Sequence, residues 1–136
     1  MNVTKALIDT NILVYAWNTE DLMKQDKAIA ILRHYQNQCY LSIQNITEFA
    51  AVMLRNGYTP DWIKETLLIY EKLMTILPIS PTHVKEALRG VKEYRMSFWN
   101  AQIWAVAKAN HIPIILTEDG PMGQTIEDVR YDNPLF

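Results

Sequence analysis

Residues 6–17, ALIDTNILVYAW, constrain the fold more than any other stretch, because one carboxylate interrupts two apolar runs where the chain has to turn. Ala6, Leu7 and Ile8 are apolar on both faces of an extended segment, the pattern of a central strand in a parallel sheet covered by helices. Asp9, Thr10 and Asn11 follow, three residue types that favour helix N-caps, before Ile12, Leu13, Val14 and Tyr15 resume the apolar pattern. In open α/β sheets, groups just past the carboxyl ends of strands line the crevice where ligands bind, so Asp9 is placed for chemistry. Helix capping alone accounts for an isolated Asp equally well.

The rest of the chain repeats this alternation. Residues 21–37 carry apolar positions at helical spacing behind Asp21, a cap candidate, and residues 39–43 form a short apolar strand ending near Ser42. A helix with Glu48 near its start runs on to Asn56 and Gly57, and Thr59-Pro60 opens another that reaches Met74. Residues 76–79 read as a strand that Pro78 confines to an edge, and Ser80-Pro81 opens a further helix. Residues 96–110, with Ser97 as cap candidate and Asn100 in the first turn, are apolar around most of a helix and should be buried. Residues 111–116 form a strand ending in Thr117, Glu118 and Asp119, which repeats the arrangement at Asp9, and residues 129–136 supply a last edge strand. The order implies right-handed crossovers and a three-layer α/β/α domain, with a mostly parallel sheet of four to five strands and helices on both faces.

In such a sheet Asp9, Glu48 and Asp119 lie on one edge and should converge, with Asn100 beside them. Converging carboxylates repel unless protons or cations offset the charge. Hard oxygen donors without Cys or His select Mg²⁺ or Mn²⁺ over Zn²⁺. There is no Ser-His-Asp ordering, no Gly-rich phosphate loop and no Cys/His zinc spacing, which leaves metal-assisted chemistry as the strongest reaction class.

Composition narrows the setting. A chain of 136 residues that is 49% hydrophobic supports one core, so residues 1–136 are expected to form a single domain. The single Cys, Cys39, excludes an intrachain disulfide. The opening residues lack the apolar core of a signal peptide, and no run approaches the roughly 18 to 20 apolar residues of a membrane span, so a cytoplasmic protein is expected. With a net charge of −2, any contact to nucleic acid has to come from a local basic patch. Lys85, Arg89 and Lys92 share a helix face with Arg95 close by; with Glu86 and Glu93 alongside, the stripe reads first as a solvated face, and the other reading is a set of phosphate contacts, for which Arg55 is a further candidate.

Five segments carry a family resemblance: LIDTNILVY at the start, ITEFA around Glu48, SFWNAQIWAVAKA, IPIILTED before Asp119, and the closing VRYDNP. In this order they resemble PIN domains, and more closely the VapC toxin ribonucleases of type II toxin–antitoxin pairs. The resemblance implies an RNA-cleaving site in which an acidic quartet binds one or two Mg²⁺ ions, with Asp9, Glu48 and Asp119 at three of its positions. Thr10, Asn11 and Thr117 match polar positions that orient those ligands, and Glu118 stands beside Asp119. At the fourth position this chain has Asn100 where the family pattern has Asp, which removes one negative charge from the site. The resemblance also implies a VapB-like antitoxin partner and a homodimer, for which the apolar surfaces of the helices over residues 21–37 and 59–74 are candidates.

Two other readings compete. One is a PIN-fold antitoxin-binding module or pseudoenzyme with activity weakened at Asn100. The other is a HAD-type phosphatase, which needs a second Asp two residues after Asp9, where Asn11 stands. Trp17, Trp62, Trp99 and Trp104 are read as core or interface residues in preference to base-stacking platforms, and His34, His83 and His111 fit no ligand spacing.

Overall fold

The computed structural model describes residues 4–135. Its elements run β1 (Ala6–Ile8), α1 (Thr10–Tyr15), α2 (Leu22–His34), β2 (Cys39–Ser42), α3 (Ile43–Arg55), α4 (Pro60–Leu73), β3 (Thr75–Leu77), α5 (Pro81–Tyr94), α6 (Phe98–Ala109), β4 (Ile114–Leu116), β5 (Thr125–Ile126) and β6 (Val129–Asp132). Side-chain caps fix where several helices begin: Asp21 accepts from the Lys24 amide, Thr59 from Trp62 and Ser97 from Asn100. At the far end of α3 the chain leaves through Gly57 at φ +91°, a conformation an L side chain resists.

The strands form one six-stranded sheet in the order β3-β2-β1-β4-β6-β5. All pairings are parallel except the closing β5–β6 hairpin. Two expectations change here. The C-terminal segment pairs inside the sheet, with Ile115 opposite Tyr131, and the short β5 takes the edge. The sheet accordingly has six strands instead of four to five. The other edge is β3, which stops just before Pro78, a residue with no amide to donate to a ladder.

Strand alternation divides the core between two layers. Ala6, Ile8, Ile114 and Leu116 pack with residues of α1 to α4, including Phe49, Met53, Ile63 and Tyr70. Leu7 and Ile115, pointing the other way, pack with Ala87 of α5 and with the buried α6 residues Ile103, Trp104 and Val106. The contact between α5 and α6 is close enough to require Gly90, because a Cβ there would stand 2.9 Å from the Trp104 ring. Among the described residues, no helix is long and apolar enough to cross a membrane.

Sheet order also locates a crevice. From β1 the chain builds outward through β2 and β3, then crosses to the opposite side of β1 to place β4. Where the direction of winding reverses, helices diverge past the strand ends and leave a cleft. Asp9 and Thr117 follow directly on the paired residues Ile8 and Leu116 at that point.

Candidate active site

Asp9 is buried where β1 gives way to α1, and its carboxylate is fully engaged. Oδ1 accepts from the Thr10 amide at 2.7 Å and from Asn45 Nδ2 at 3.2 Å, while the Thr117 hydroxyl donates to Oδ2 at 2.7 Å. The capping role foreseen for Asp9 is therefore real, and the same side chain also faces the cleft. Burial holds its carboxyl above the ordinary carboxylate value; the Thr117 hydroxyl and Thr10 amide oppose that effect, and Glu48 and Asp119 add to it. Hydrogen bonds fix its geometry, but no Lys, Arg or His among the described residues pairs with it.

Around Asp9 the cleft is lined by Glu48, Asn100, Asp119, Gln44, Thr47, Ser97, Trp99 and Ile103, enclosing a volume of about 540 Å³. A smaller cavity of about 270 Å³ opens on the other side of the same carboxylates, walled by Thr10, Asn11, Val14, Tyr15 and Val52. Asp9, Glu48 and Asp119 line both, and no Lys, Arg or His lines either. The four positions expected at one sheet edge are thus brought together. Glu48 receives a 2.7 Å hydrogen bond from Gln44 Nε2, and Asp119 Oδ2 one of 3.4 Å from Asn11 Nδ2.

A hard divalent cation suits this donor set, which is all oxygen and carries negative charge without a basic counterpart. As placed, no three acidic, His or Cys side chains among the described residues stand close enough to share one ion. The fit is one of donor chemistry around a single fixed carboxylate, with Glu48 and Asp119 on the facing walls.

Thr10, Asn11 and Thr117 stand where expected. The Thr117 hydroxyl accepts from the Asp119 amide at 3.0 Å while donating to Asp9, which links the two carboxylate positions through one oxygen. Asn11 reaches both Thr117 and Asp119 and accepts from the Glu118 amide. Glu118 itself departs from the expected grouping: it accepts from Tyr15 at 2.6 Å and pairs with Lys24 at 2.8 Å, outside both cavities. Burial raises its carboxyl, but Lys24 and Tyr15 together bring it below its ordinary value.

The basic stripe separates in the same way. Arg89 is tied by Glu86, Glu93 and Glu127, so its guanidinium is committed within the protein instead of lying open to a phosphate. Arg55, Lys85 and Lys92 are absent from the walls of the acidic cavities. Arg95 alone among the five lines a pocket with a site residue, shared with Ser97, Asn100, Gly120 and Pro121.

Two contributors, Asn45 and Gln44, were not singled out from the sequence, and Trp99 was singled out with a different role. Asn45 bonds both Asp9 and the Ser42 cap, and its place three residues after Ser42 was the available signal. Gln44 sits one helical turn before Glu48, and its amide oxygen in turn accepts from Gln102 at 2.7 Å. Trp99 is not a core residue: it is 62% exposed and walls the acidic cavity, whereas Trp104 on the same helix is fully buried.

The PIN domain family matches residues 6–125 of the chain. No curated protein matches it in sequence. Among solved structures it is similar to VapC20 of Mycobacterium tuberculosis, described as a Sarcin-Ricin loop cleaving toxin, with a TM-score of 0.74, 15% identity, and coverage of 93% of this chain and 99% of that one. A chain of a toxin–antitoxin complex from Klebsiella pneumoniae gives a TM-score of 0.67 at 22% identity, covering 85% of this chain and 87% of its own. VapBC2 from Rickettsia felis, bound to a DNA fragment from its promoter, gives 0.65 at 15% identity, covering 96% and 98%. At these identities the likeness carries the fold; with the family match, it makes this chain a member of the PIN-domain family.

Proposed function

We propose that this protein is the toxin of a toxin–antitoxin pair, a Mg²⁺- or Mn²⁺-dependent ribonuclease acting in the cytoplasm. The observation that carries the reading is the meeting of Asp9, Glu48, Asp119 and Asn100 on one cavity at the switch point of the sheet, with no basic side chain among them. Membership of the PIN-domain family and the toxin structures named above support it.

Asp9, Glu48, Asp119 and the Asn100 amide oxygen would hold the cation, and a bound divalent ion supplies a water of lowered pKa and charge stabilisation at a phosphate. The chain's own residues do the positioning. Thr10, Asn45 and Thr117 keep Asp9 in one orientation, Gln44 holds Glu48 to the cavity wall, and Asn11 restrains Asp119. Asp9, the one buried member of the set, is held ready for the cation, while Glu48, Asn100 and Asp119 would close on it when it binds. Arg95 is the basic residue best placed to meet an RNA phosphate beside this cavity.

Asn100 favours a second reading, an impaired nuclease or pseudoenzyme that retains antitoxin binding, because an amide brings no charge to the cation. Either form implies an antitoxin peptide that lies across the cleft and offers a basic side chain to the carboxylates. A homodimer is part of the proposal, with the exposed Leu22 and Met23 of α2 and Leu68, Ile69 and Leu73 of α4 as its apolar surface; monomer alone by light scattering at micromolar concentration refutes it.

The deciding experiment is cleavage of structured RNAs with and without Mg²⁺ or Mn²⁺ by the native chain, Asn100→Asp and Asp9→Asn. Cleavage by the native chain that Asp9→Asn loses supports the enzyme as described. Cleavage by Asn100→Asp alone supports the impaired form. Silence from all three, despite metal binding by Asn100→Asp, overturns the nuclease reading in favour of a binding module.

A further inference from the structure

We infer that Trp99 is a stacking platform for a nucleobase next to the scissile phosphate, an assignment that rests on the ribonuclease reading above. An aromatic side chain that walls a polar cavity offers a π face to whatever enters it. Trp99 is 62% exposed and shares its cavity with Asp9, Glu48 and Asp119, and none of the other large exposed apolar residues among those described lines that cavity. A protein-binding patch is contiguous and apolar. Here the indole, backed by the Phe98 ring, shares its cavity with the hydroxyls of Thr47 and Ser97 and the amides of Gln44 and Asn100. That mixture suits a base, which has a π face to stack and polar edges to hydrogen-bond.

The platform is also held in register with the acidic centre. Gln44 Nε2 donates to Glu48 Oε1 at 2.7 Å and to the Trp99 carbonyl at 3.3 Å, so one buried amide ties the carboxylate to the backbone that carries the indole. Gln102 fixes that amide in turn. The Phe98 ring stands against the indole at 79° with 5.1 Å between centroids, which limits its swing. A base stacked on Trp99 would leave its neighbouring phosphate over the carboxylates, and because stacking requires the base to be unpaired, the platform selects against duplex.

The test uses the full chain and fluorescent single-stranded oligoribonucleotides about ten nucleotides long, intact or with one abasic ribose at each position in turn, bound in Ca²⁺ buffer. We expect Trp99→Ala to bind the intact strand roughly 5- to 100-fold more weakly, and Trp99→Phe to stay within about threefold of the native chain. One abasic position should weaken the native chain by the same factor and leave Trp99→Ala unaffected, a non-additivity that a general loss of structure does not produce. Thermal melting of Trp99→Ala should match the native chain, since the indole is outside the core. Native binding by Trp99→Ala, or equal abasic penalties in both proteins, overturns the stacking role while native cleavage leaves the nuclease reading intact. Normal RNA binding with loss of a protein antitoxin assigns the indole to a protein interface and equally overturns it. A native chain that neither binds nor cleaves any RNA removes the nuclease reading and the platform together.

Discussion

The protein has two concentrations of carboxylates, and they have opposite fates. Beside Arg89, the carboxylates of Glu86, Glu93 and Glu127 each find a cation, with Lys108 adding bonds to Glu86 and Glu127. Arg89, then Lys108 and Tyr94, hold Glu127 well below the usual carboxylate range. At the cleft, Asp9 accepts three hydrogen bonds and still titrates above its ordinary value, because burial outweighs them and its charged neighbours are Glu48 and Asp119. Satisfying every polar atom and balancing charge are separate matters. The Arg89 cluster is closed on itself, while no basic side chain lines the cavities at the Asp9 edge.

The sharpest way to break the contrast is Asp9→Asn. It keeps the shape of the side chain and removes the unbalanced charge, so RNA cleavage should fall at least about 100-fold. Stability without metal at pH 7 should meanwhile rise, read by urea unfolding. The sign follows from the folded carboxyl lying above its ordinary 3.8: the unfolded chain then loses its proton first, and stability declines as pH rises through that interval. The advantage of Asp9→Asn should therefore vanish in acid. Equal stability at neutral pH would show that the three hydrogen bonds offset the charge after all.

Gly90→Ala strikes the packing beneath the closed cluster. Its Cβ meets Trp104, over which Arg89 and Lys108 lie, and overpacking of this kind should cost about 1–3 kcal/mol in unfolding experiments, with the cleavage optimum unchanged. Asn100→Asp makes the acidic edge more unbalanced. Half-saturation by Mg²⁺ should fall about tenfold, equivalent to ~1.4 kcal/mol, and the metal-free protein should melt slightly lower, a loss that Mg²⁺ restores. Glu127→Gln gives the smallest effect, at most about 1 kcal/mol because the pairs are part-exposed, and cleavage should be unaffected. Glu86 and Glu127 both titrate below their ordinary 4.5, so their contribution is complete above that value and fades as pH falls through it and beyond. The Glu127→Gln deficit should shrink in acid, as the benefit of Asp9→Asn does, although the two start from opposite signs.

Much of the site was legible because its residues end strands. Asp9 and the Thr117–Asp119 segment each follow an apolar run, and a parallel sheet puts such ends on one edge whatever the sequence between them. Glu48 and Asn100 were legible for the related reason that helix starts meet that edge. Glu86 and Glu93 beside Arg89 were legible from helical spacing, but the partner of Glu118 and the third partner of Arg89 were not, since residue type and spacing cannot tell which distant side chain a charge will find. Lys24, on a helix far off in sequence, captures Glu118, and the β5–β6 turn brings Glu127 to Arg89. The C-terminal segment was placed at an edge because a short strand carries no mark of its neighbours; pairing with β4 on one side and β5 on the other is decided only when the sheet assembles.

Trp99 and Trp104 show the same boundary on one helix. The sequence determined that α6 is apolar around most of its circumference, and hence that it is mainly buried. It also determined that carboxylates gather at a strand edge, because periodicity and strand ends are local properties. Which indole fills the core and which opens on the acidic cavity depended on where α5, the hairpin and the first turn of α6 come to rest. Exposure is a property of neighbours supplied from across the chain, so it belongs to the tertiary structure alone.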